Sequence, residues 1–295
     1  MSKLDLITGV LVTILWGCNF TVIEWGLRSL DPYLLTLLRF TFCAIPLVFF
    51  VRRPTGVSLR ALAVYGVLFG AGLWWVVNLA IYQGLSPGMS SVFLQFSAFF
   101  TIVLSNVFLR EPISVPHFYG MAFAAAGLFL LLLLSDHSST VSGIFLVLLA
   151  ALMWSLCNLL VKVKRPVEMM AFIIWSSLFS IPALFALTLA SQGWSAFEGL
   201  ANGVAWEAVV SVLFQSYITT LLGYLVWNNL MKKYPAAQVA PLSLLVPVSG
   251  LVASYLFLGE RLGAMQAMAI ALVLLGIVIF LNAQRWLGVL SRNNR

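Results

Sequence analysis

The sequence predicts an all-α membrane protein in which ten transmembrane helices form two inverted five-helix repeats around a central cavity. Composition, segment length and an internal similarity support this prediction. Of the 295 residues, 62% are hydrophobic and 8% are charged, whereas about 25% of the residues of a soluble domain are charged. This composition excludes a soluble globular protein.

Ten apolar segments have the length of a membrane-spanning helix, about 20 residues, and short polar or basic breaks separate them. They are 4–27, 33–51, 60–83, 88–109 and 114–134 in the first half and 142–163, 168–190, 206–230, 236–258 and 264–283 in the second. The first segment is longer than the apolar region of a signal peptide and lacks a small-residue cleavage site. We therefore interpret it as a membrane helix.

The positions of the basic residues predict the orientation. With both termini inside, thirteen of the sixteen Lys and Arg residues lie on the cytoplasmic side, and only Arg28, Arg39 and Arg261 do not. Cytoplasmic loops of membrane proteins carry such an excess of positive charge. We therefore expect cytoplasmic N- and C-termini, and we read the net charge of +7 as a topology signal and not as affinity for nucleic acid.

The two halves of the chain resemble each other. Residues 108–133, which begin FLREP, align with residues 257–282, which begin FLGER, at an offset of 149 positions. The alignment pairs Phe108 with Phe257, Leu109 with Leu258, Glu111 with Glu260 and Gly127 with Gly276. We divide the chain into a first repeat, 1–135, and a second, 136–295. Because each repeat has five spans, the second enters the membrane inverted, an arrangement typical of secondary transporters.

Motifs for catalysis or metal binding are missing from the sequence. There is no HExxH, no GxSxG and no Gly-rich phosphate loop followed by Lys. Cys18, Cys43 and Cys157 lie in apolar segments without CxxC spacing, and His117 and His137 are isolated in loops. We expect no enzymatic activity, no metal and no cofactor.

Polar and small residues recur at helical spacing in the third, fourth, eighth and ninth segments. Small residues such as Gly66 and Gly70 are better explained by close packing of helices than by a cavity lining. Larger polar side chains need partners in the membrane, and they point to a cavity lining as well as to packing. These candidates are Asn78, Tyr82, Gln95 and Gln215, together with Asn19 and Asn158, which occupy equivalent places in the two halves.

Two ionisable residues lie inside spans, where a charge costs about 2.5–3.5 kcal/mol even on insertion scales. They are Glu24 and Arg39. Glu24 can pair with Arg28 on its own helix or with Arg39 on the next, and Arg39 can instead capture the carboxylate of a substrate. The centres of the spans carry no Asp, Glu, Lys or His, which argues against proton-coupled efflux of lipophilic cations.

Prolines predict a hinge in the ninth segment. Pro241 and Pro247 lie inside it, where each removes a backbone donor and clashes with the preceding turn. Pro247 frees the carbonyl of Ser243 on the same face as Gly250. Because the fourth segment has only Pro87 and Gly88 at its entrance, we expect the ninth to be the more sharply bent of the two.

Several motifs resemble the EamA branch of the drug/metabolite transporter superfamily, whose members include amino-acid and metabolite exporters of the EamA and YddG type. The motifs are LWGCNF in the first span, LLRFTFCAIPL in the second, SSVFLQFSAFFTIVLSNVFLREP in the fourth and VAPLSLLVPVSGLVASYLFLGERL in the ninth. The resemblance covers essentially the whole chain. One departure is Arg110, which stands where the second half has Gly259.

The resemblance implies a monomeric exporter of aromatic or neutral amino acids in a bacterial inner membrane, with spans 3, 4, 8 and 9 lining the path. The substrate residues it implies are Trp16, Asn19, Gln95, Phe96, Phe99, Trp154, Asn158 and Ser243. Two alternatives stay open: a multidrug exporter of amphipathic cations, and a scaffold or lipid-handling protein whose polar stripes face lipid or a partner chain.

Overall fold

The structure is a computed structural model that describes residues 1–110, 115–133, 138–201, 203–233, 242–243, 245–261 and 263–281. Ten helices account for most of these residues. In the first half they are α1 (Lys3–Leu27), α2 (Pro32–Ala44), α3 (Leu59–Tyr82), α4 (Pro87–Leu109) and α5 (Val115–Leu133).

In the second half they are α6 (Ser138–Lys164), α7 (Met169–Gln192), α8, α9 (Leu245–Leu258) and α10 (Ala264–Leu281). Helix α8 is continuous through Trp206–Leu213, Phe214–Leu222 and Gly223–Lys233. A short helix, Ser195–Ala201, precedes it.

Each predicted segment overlaps one of these helices. His117, expected in a loop, lies in the first turn of α5, and His137 lies outside the described residues. Seven helical stretches among the described residues are long and apolar enough to cross a membrane, and shorter apolar helices lie within α5, α9 and α10. The protein is therefore a multi-pass membrane protein.

Side chains cap the helices of the first half. Ser2, Asp31, Ser58 and Ser86 precede α1 to α4, and each side chain accepts a hydrogen bond from a backbone N–H in the first turn. Such caps satisfy donors that have no partner inside the helix. Helix α2 ends at Ala44, earlier than the predicted residue 51, because Pro46 cannot continue a helix.

Two helices contain a π-helical segment, and these segments fall in α3 (Leu68–Trp75) and α8 (Phe214–Leu222). Most π-helices are single-turn bulges, frequent at functional sites, so segments of eight and nine residues are unusual. Helix α4 is interrupted at Gln95, between Pro87–Leu94 and Phe96–Leu109. Neither Phe214–Leu222 nor the break at Gln95 contains Pro or Gly, so no residue type marked them in advance.

The helices pack in pairs that join the two halves. Helix α1 packs against α8 and α9, α6 packs against α3 and α4, and α2 packs against α7, while α5 packs mainly against α10. The small residues predicted to serve packing do so: Gly66 and Gly70 lie against α7, where a Cβ at Gly70 would stand 2.6 Å from Ser180 Cβ.

Pro247 was expected in the interior of a helix, and the structure places it near the beginning of one. Described helix α9 begins at Leu245, so Pro247 lies in its first turn, where a missing N–H has no intrahelical partner to lose. Pro87 likewise begins α4 behind Ser86. Pro241 lies outside the described residues. In the described part of the ninth span, Pro247 therefore lies in the first turn of the helix and not in the middle of it, where the sequence placed it.

Candidate functional site

Arg39 is fully buried near the middle of α2, with 0% of its surface exposed. Its Nε and Nη2 donate to Thr220 Oγ1 at 3.2 and 2.9 Å, and its Nη1 donates to Gln215 Oε1 at 3.1 Å. The Cζ atom lies 3.9 Å from the centroid of the Trp74 ring, an attractive position for a cation. Neutral groups from α3 and α8 therefore hold a buried positive charge.

No carboxylate of the described residues pairs with Arg39. The structure does not bring Glu24 and Arg39 together: Glu24 lines a cavity with Arg28 near the end of α1, so the i+4 neighbour on its own helix is the basic group beside it. A guanidinium has five N–H donors, and three of those of Arg39 donate to Gln215 and Thr220. The positive charge has no described counter-ion.

The hydrogen bonds continue from Gln215 to α1. Gln215 Nε2 donates to Ser211 Oγ at 2.9 Å, and Thr219 Oγ1 donates to Asn19 Oδ1 at 3.3 Å. Trp16 Nε1 donates to the backbone oxygen of Thr219 at 2.9 Å. We call Arg39 and the residues connected to it in this way the Arg39 network; its members are Trp16, Asn19, Arg39, Trp74, Ser211, Gln215, Thr219 and Thr220.

Asn78 lies one turn after Trp74 on α3 and is also fully buried. Its Nδ2 donates to Thr36 Oγ1 at 2.8 Å, which places it beside the same face of α2 as Arg39, one turn away. In Asn78 and the Arg39 network, three buried polar atoms have no hydrogen-bond partner among the described residues: Asn19 Nδ2, Trp74 Nε1 and Asn78 Oδ1. An unsatisfied buried polar group costs about 1–3 kcal/mol, so a ligand that pairs with these atoms would recover that cost.

Aromatic rings border the Arg39 network. The centroid of the Trp16 ring lies 5.1 Å from that of Tyr224 and 5.4 Å from that of Trp227. Phe69 stands edge-on to Tyr224 at 5.4 Å and to Phe40 at 5.6 Å. The site thus combines a cation, unpaired donors and acceptors, and an apolar aromatic wall.

Most of the other predicted residues lie on α4 and α6, two helices that pack against each other. Asn158 Nδ2 donates to Thr101 Oγ1 at 3.3 Å, and the rings of Phe96 and Phe99 are 5.1 Å apart. Gln95 is buried at the interruption of α4, and Trp154 is half-buried on α6. The predicted residues therefore divide between two helix interfaces.

Two predicted substrate residues lie elsewhere. Tyr82 is 59% exposed at the end of α3, away from the buried part of that helix. Ser243 is half-buried in the short segment before α9. Thr220 contacts Arg39 through two hydrogen bonds and was not among the predicted site residues. On an α-helix the adjacent residues Thr219 and Thr220 face different directions, so periodicity could not assign both to one site.

Two cavities occur at the end of the bundle where α1 ends and α2 begins. The larger, about 610 Å³, is lined by residues including Asp31, Leu34 and Gln192. The smaller, about 250 Å³, is lined by residues including Glu24, Arg28 and Glu260. Neither is lined by the Arg39 network, whose members other than Trp16 are buried.

Known proteins resemble the chain along nearly its whole length. A protein of Escherichia coli (strain K12) named "Probable amino-acid metabolite efflux pump" is 34% identical over 293 residues, which are 97% of this chain and 97% of that protein. A relative of the same name from Salmonella typhimurium is 35% identical over 286 residues, 95% of each chain. One crystal structure matches with a TM-score of 0.59 at 19% identity, over 95% of this chain and 96% of that one; it supports the fold alone.

The family comparison agrees with these relatives. The EamA-like transporter family matches residues 4–133 and again residues 141–282. These two matches cover all ten helices except the first residues of α1 and α6. The chain belongs to the EamA-like transporter family.

Proposed function

We propose that the protein exports aromatic and other neutral amino acids from the cytoplasm across a bacterial inner membrane by alternating access. The observation that carries the proposal is Arg39, a fully buried cation without a described carboxylate partner. Two relatives that share about a third of its sequence are named amino-acid metabolite efflux pumps, which supports the substrate class.

Arg39 is suited to the carboxylate of the substrate. A guanidinium fork matches a carboxylate in a bidentate geometry, and such charge-assisted bonds are about twice as strong as neutral ones. Its present acceptors, Gln215 and Thr220, are neutral, so a carboxylate can replace them at little electrostatic cost. Burial away from water strengthens that attraction.

The remaining parts of the site fit the rest of an aromatic amino acid. Asn78 Oδ1 is a buried acceptor without a described partner, and it suits the ammonium group. The rings of Trp16, Phe69 and Tyr224 supply an apolar surface for the side chain. In the proposal, Gln95, Phe96, Phe99, Trp154, Asn158 and Ser243 line the path in the other half of the cycle.

We also propose that the two halves form an inverted repeat, and three observations support this architecture. The helix pairs α1 with α9 and α1 with α8 correspond to α6 with α4 and α6 with α3 when each number is shifted by five, and both kinds of pair are in contact. The π-helical segments also occur in the corresponding helices α3 and α8. The family matches two successive stretches of the chain. In this architecture both termini are cytoplasmic, and a single chain suffices for transport without nucleic acid or catalysis.

Efflux of amphipathic cations is the rival function. The aromatic group of Trp16, Tyr224 and Trp227 can attract a cation. The positive charge of Arg39, which has no described negative neighbour, argues against cation efflux. Like charges in a medium of low dielectric repel strongly, so the site favours an anion or a zwitterion.

Phenylalanine and its decarboxylated analogue phenethylamine distinguish the two functions. We expect purified protein in liposomes to move labelled phenylalanine, with competition by tryptophan and threonine, because each carries the carboxylate that Arg39 binds. Phenethylamine, an amphipathic cation of the same ring size, should not compete. The measurement is competition of uptake with and without a pH gradient, and protein-free liposomes are the control.

Competition by phenethylamine equal to that by tryptophan would assign the protein to cation efflux. Absence of amino-acid movement under every gradient would exclude amino-acid export. Dependence of the rate on the pH gradient would indicate proton coupling.

A further inference from the structure

Glu260 follows the end of α9, and the local backbone turns it back toward the bundle. Gly259 has a φ of +69°, a conformation that glycine adopts readily. The N–H of Glu260 donates to the carbonyl of Ser254, six residues earlier on α9, at 3.3 Å. This turn directs the Glu260 side chain along α9 and not outward into solvent.

The carboxylate of Glu260 joins two helices. One oxygen accepts a hydrogen bond from Ser254 Oγ on α9, and the other accepts one from Ser86 Oγ, the residue that caps α4. A carboxylate has two oxygens, and each can accept a hydrogen bond from a different hydroxyl. Glu260 thus holds the end of α9 to the beginning of α4.

The beginning of α4 is shaped to receive this carboxylate. A Cβ at Gly88 would lie 3.0 and 3.4 Å from the two carboxylate oxygens of Glu260, so a glycine here leaves room for the carboxylate over the first turn. The N-terminus of a helix carries a partial positive charge, which stabilises an anion in this place. The smaller cavity lies directly beside it, lined by Glu24, Arg28 and Glu260 among others.

We infer that Glu260 is a latch residue, whose carboxylate keeps the adjoining ends of α4 and α9 closed and whose release opens the path on that side. The inference rests on the alternating-access export proposed above, which places these ends on the outer face. In that scheme α4 and α9 separate at this end once per cycle. The two hydrogen bonds of Glu260 set the ratio of open to closed molecules, and the substrate has to overcome them.

A distance measurement tests the latch without any substrate. Spin labels are attached at Gln83→Cys, exposed just before α4, and at Leu256→Cys, exposed near the end of α9, in protein whose three native cysteines are replaced by serine. We expect one short distance in the parent protein. Glu260→Gln should add a longer distance, with an open-to-closed ratio raised about tenfold, the equivalent of 1.4 kcal/mol.

Two variants that each remove one of the two side-chain hydrogen bonds of Glu260, and a matched control, make the test specific. Ser86→Ala removes the bond from Glu260 to α4 together with the N-cap of that helix, and it should open the pair as Glu260→Gln does. Ser254→Ala keeps the bond to α4 and should open the pair less. Glu207→Gln, an exposed carboxylate in the first turn of α8, should leave the distances unchanged.

Unchanged distances in both Glu260→Gln and Ser86→Ala would overturn the latch, and if Glu260→Gln does not fold, Ser86→Ala alone decides. Because no substrate is needed, the outcome is independent of the liposome assay. If the parent protein transports no amino acid, the proposed function is wrong, whereas the measured distances remain valid.

Discussion

Replacing Arg39 with methionine should lower the rate of phenylalanine export by about 10- to 100-fold, the effect of losing hydrogen bonds to a charged group worth about 1.5–3 kcal/mol. Stability should change little. The substitution removes a buried charge that costs about 2.5–3.5 kcal/mol in a membrane, and this gain offsets the loss of the bonds to Gln215 and Thr220.

Initial rates in liposomes and a thermal melt of the same preparation measure the two quantities. A thiol-reactive dye can report the melt, because Cys43 and Cys157 are buried in the folded protein. Arg39→Lys is the matched control: it keeps the charge but not the planar fork, and we expect an intermediate rate. If Arg39→Met unfolds and Arg39→Lys keeps full activity, the role of Arg39 is structural and it does not bind the substrate.

Replacing Gly17 with alanine should destabilise the protein by about 1–3 kcal/mol, the usual cost of overpacking, and stop transport. A Cβ at Gly17 would lie 2.5 Å from the backbone oxygen of Val246 and 2.7 Å from the backbone nitrogen of Gly250. Both atoms belong to the backbone of α9, so no side chain can move aside to relieve the contact. Helices α1 and α9 would have to separate.

Gly9→Ala on the same helix is the control for Gly17→Ala. A Cβ at Gly9 would meet only side-chain ends, Leu242 Cδ1 at 2.7 Å and Leu230 Cδ1 at 2.9 Å, and these can rotate away. The dye melt and the initial rate should therefore fall for Gly17→Ala and stay close to the parent values for Gly9→Ala. Equal melting temperatures of the two variants would show that α1 and α9 do not need their close approach.

The all-helical fold with several membrane-spanning helices could be predicted from the sequence because burial in lipid imposes long apolar segments. The residues at which the helices end or are interrupted were harder to predict from the sequence. The early end of α2 before Pro46 could have been predicted, because proline cannot continue a helix. Nothing in the sequence marks the interruption at Gln95 or the π-helical segment Phe214–Leu222. Such departures depend on tertiary contacts, which override local preference.

The candidate site was predictable in its residue types and not in its assembly. Asn19, Arg39 and Gln215 were identified from their cost or size in a membrane and Trp16 from the family resemblance, and the structure connects them through Thr219 and Thr220. Periodicity shows which face of a helix is polar, but it cannot show that Arg39 meets a residue 176 positions away. That contact also explains why Arg39 needs no pairing with Glu24.

The π-helical segment of α8 gives the protein a way to change register without breaking the helix. An α-helix turns by about 100° per residue, so conversion of this segment to an α-helix would rotate the part from Gly223 to Lys233 by about that angle for each residue absorbed. Thr220 would then turn away from Arg39, Trp227 away from Trp16, and Lys233 away from Asp5, its ion-pair partner at 2.6 Å. One local rearrangement would release the guanidinium and unlock the opposite end of α1 in the same step.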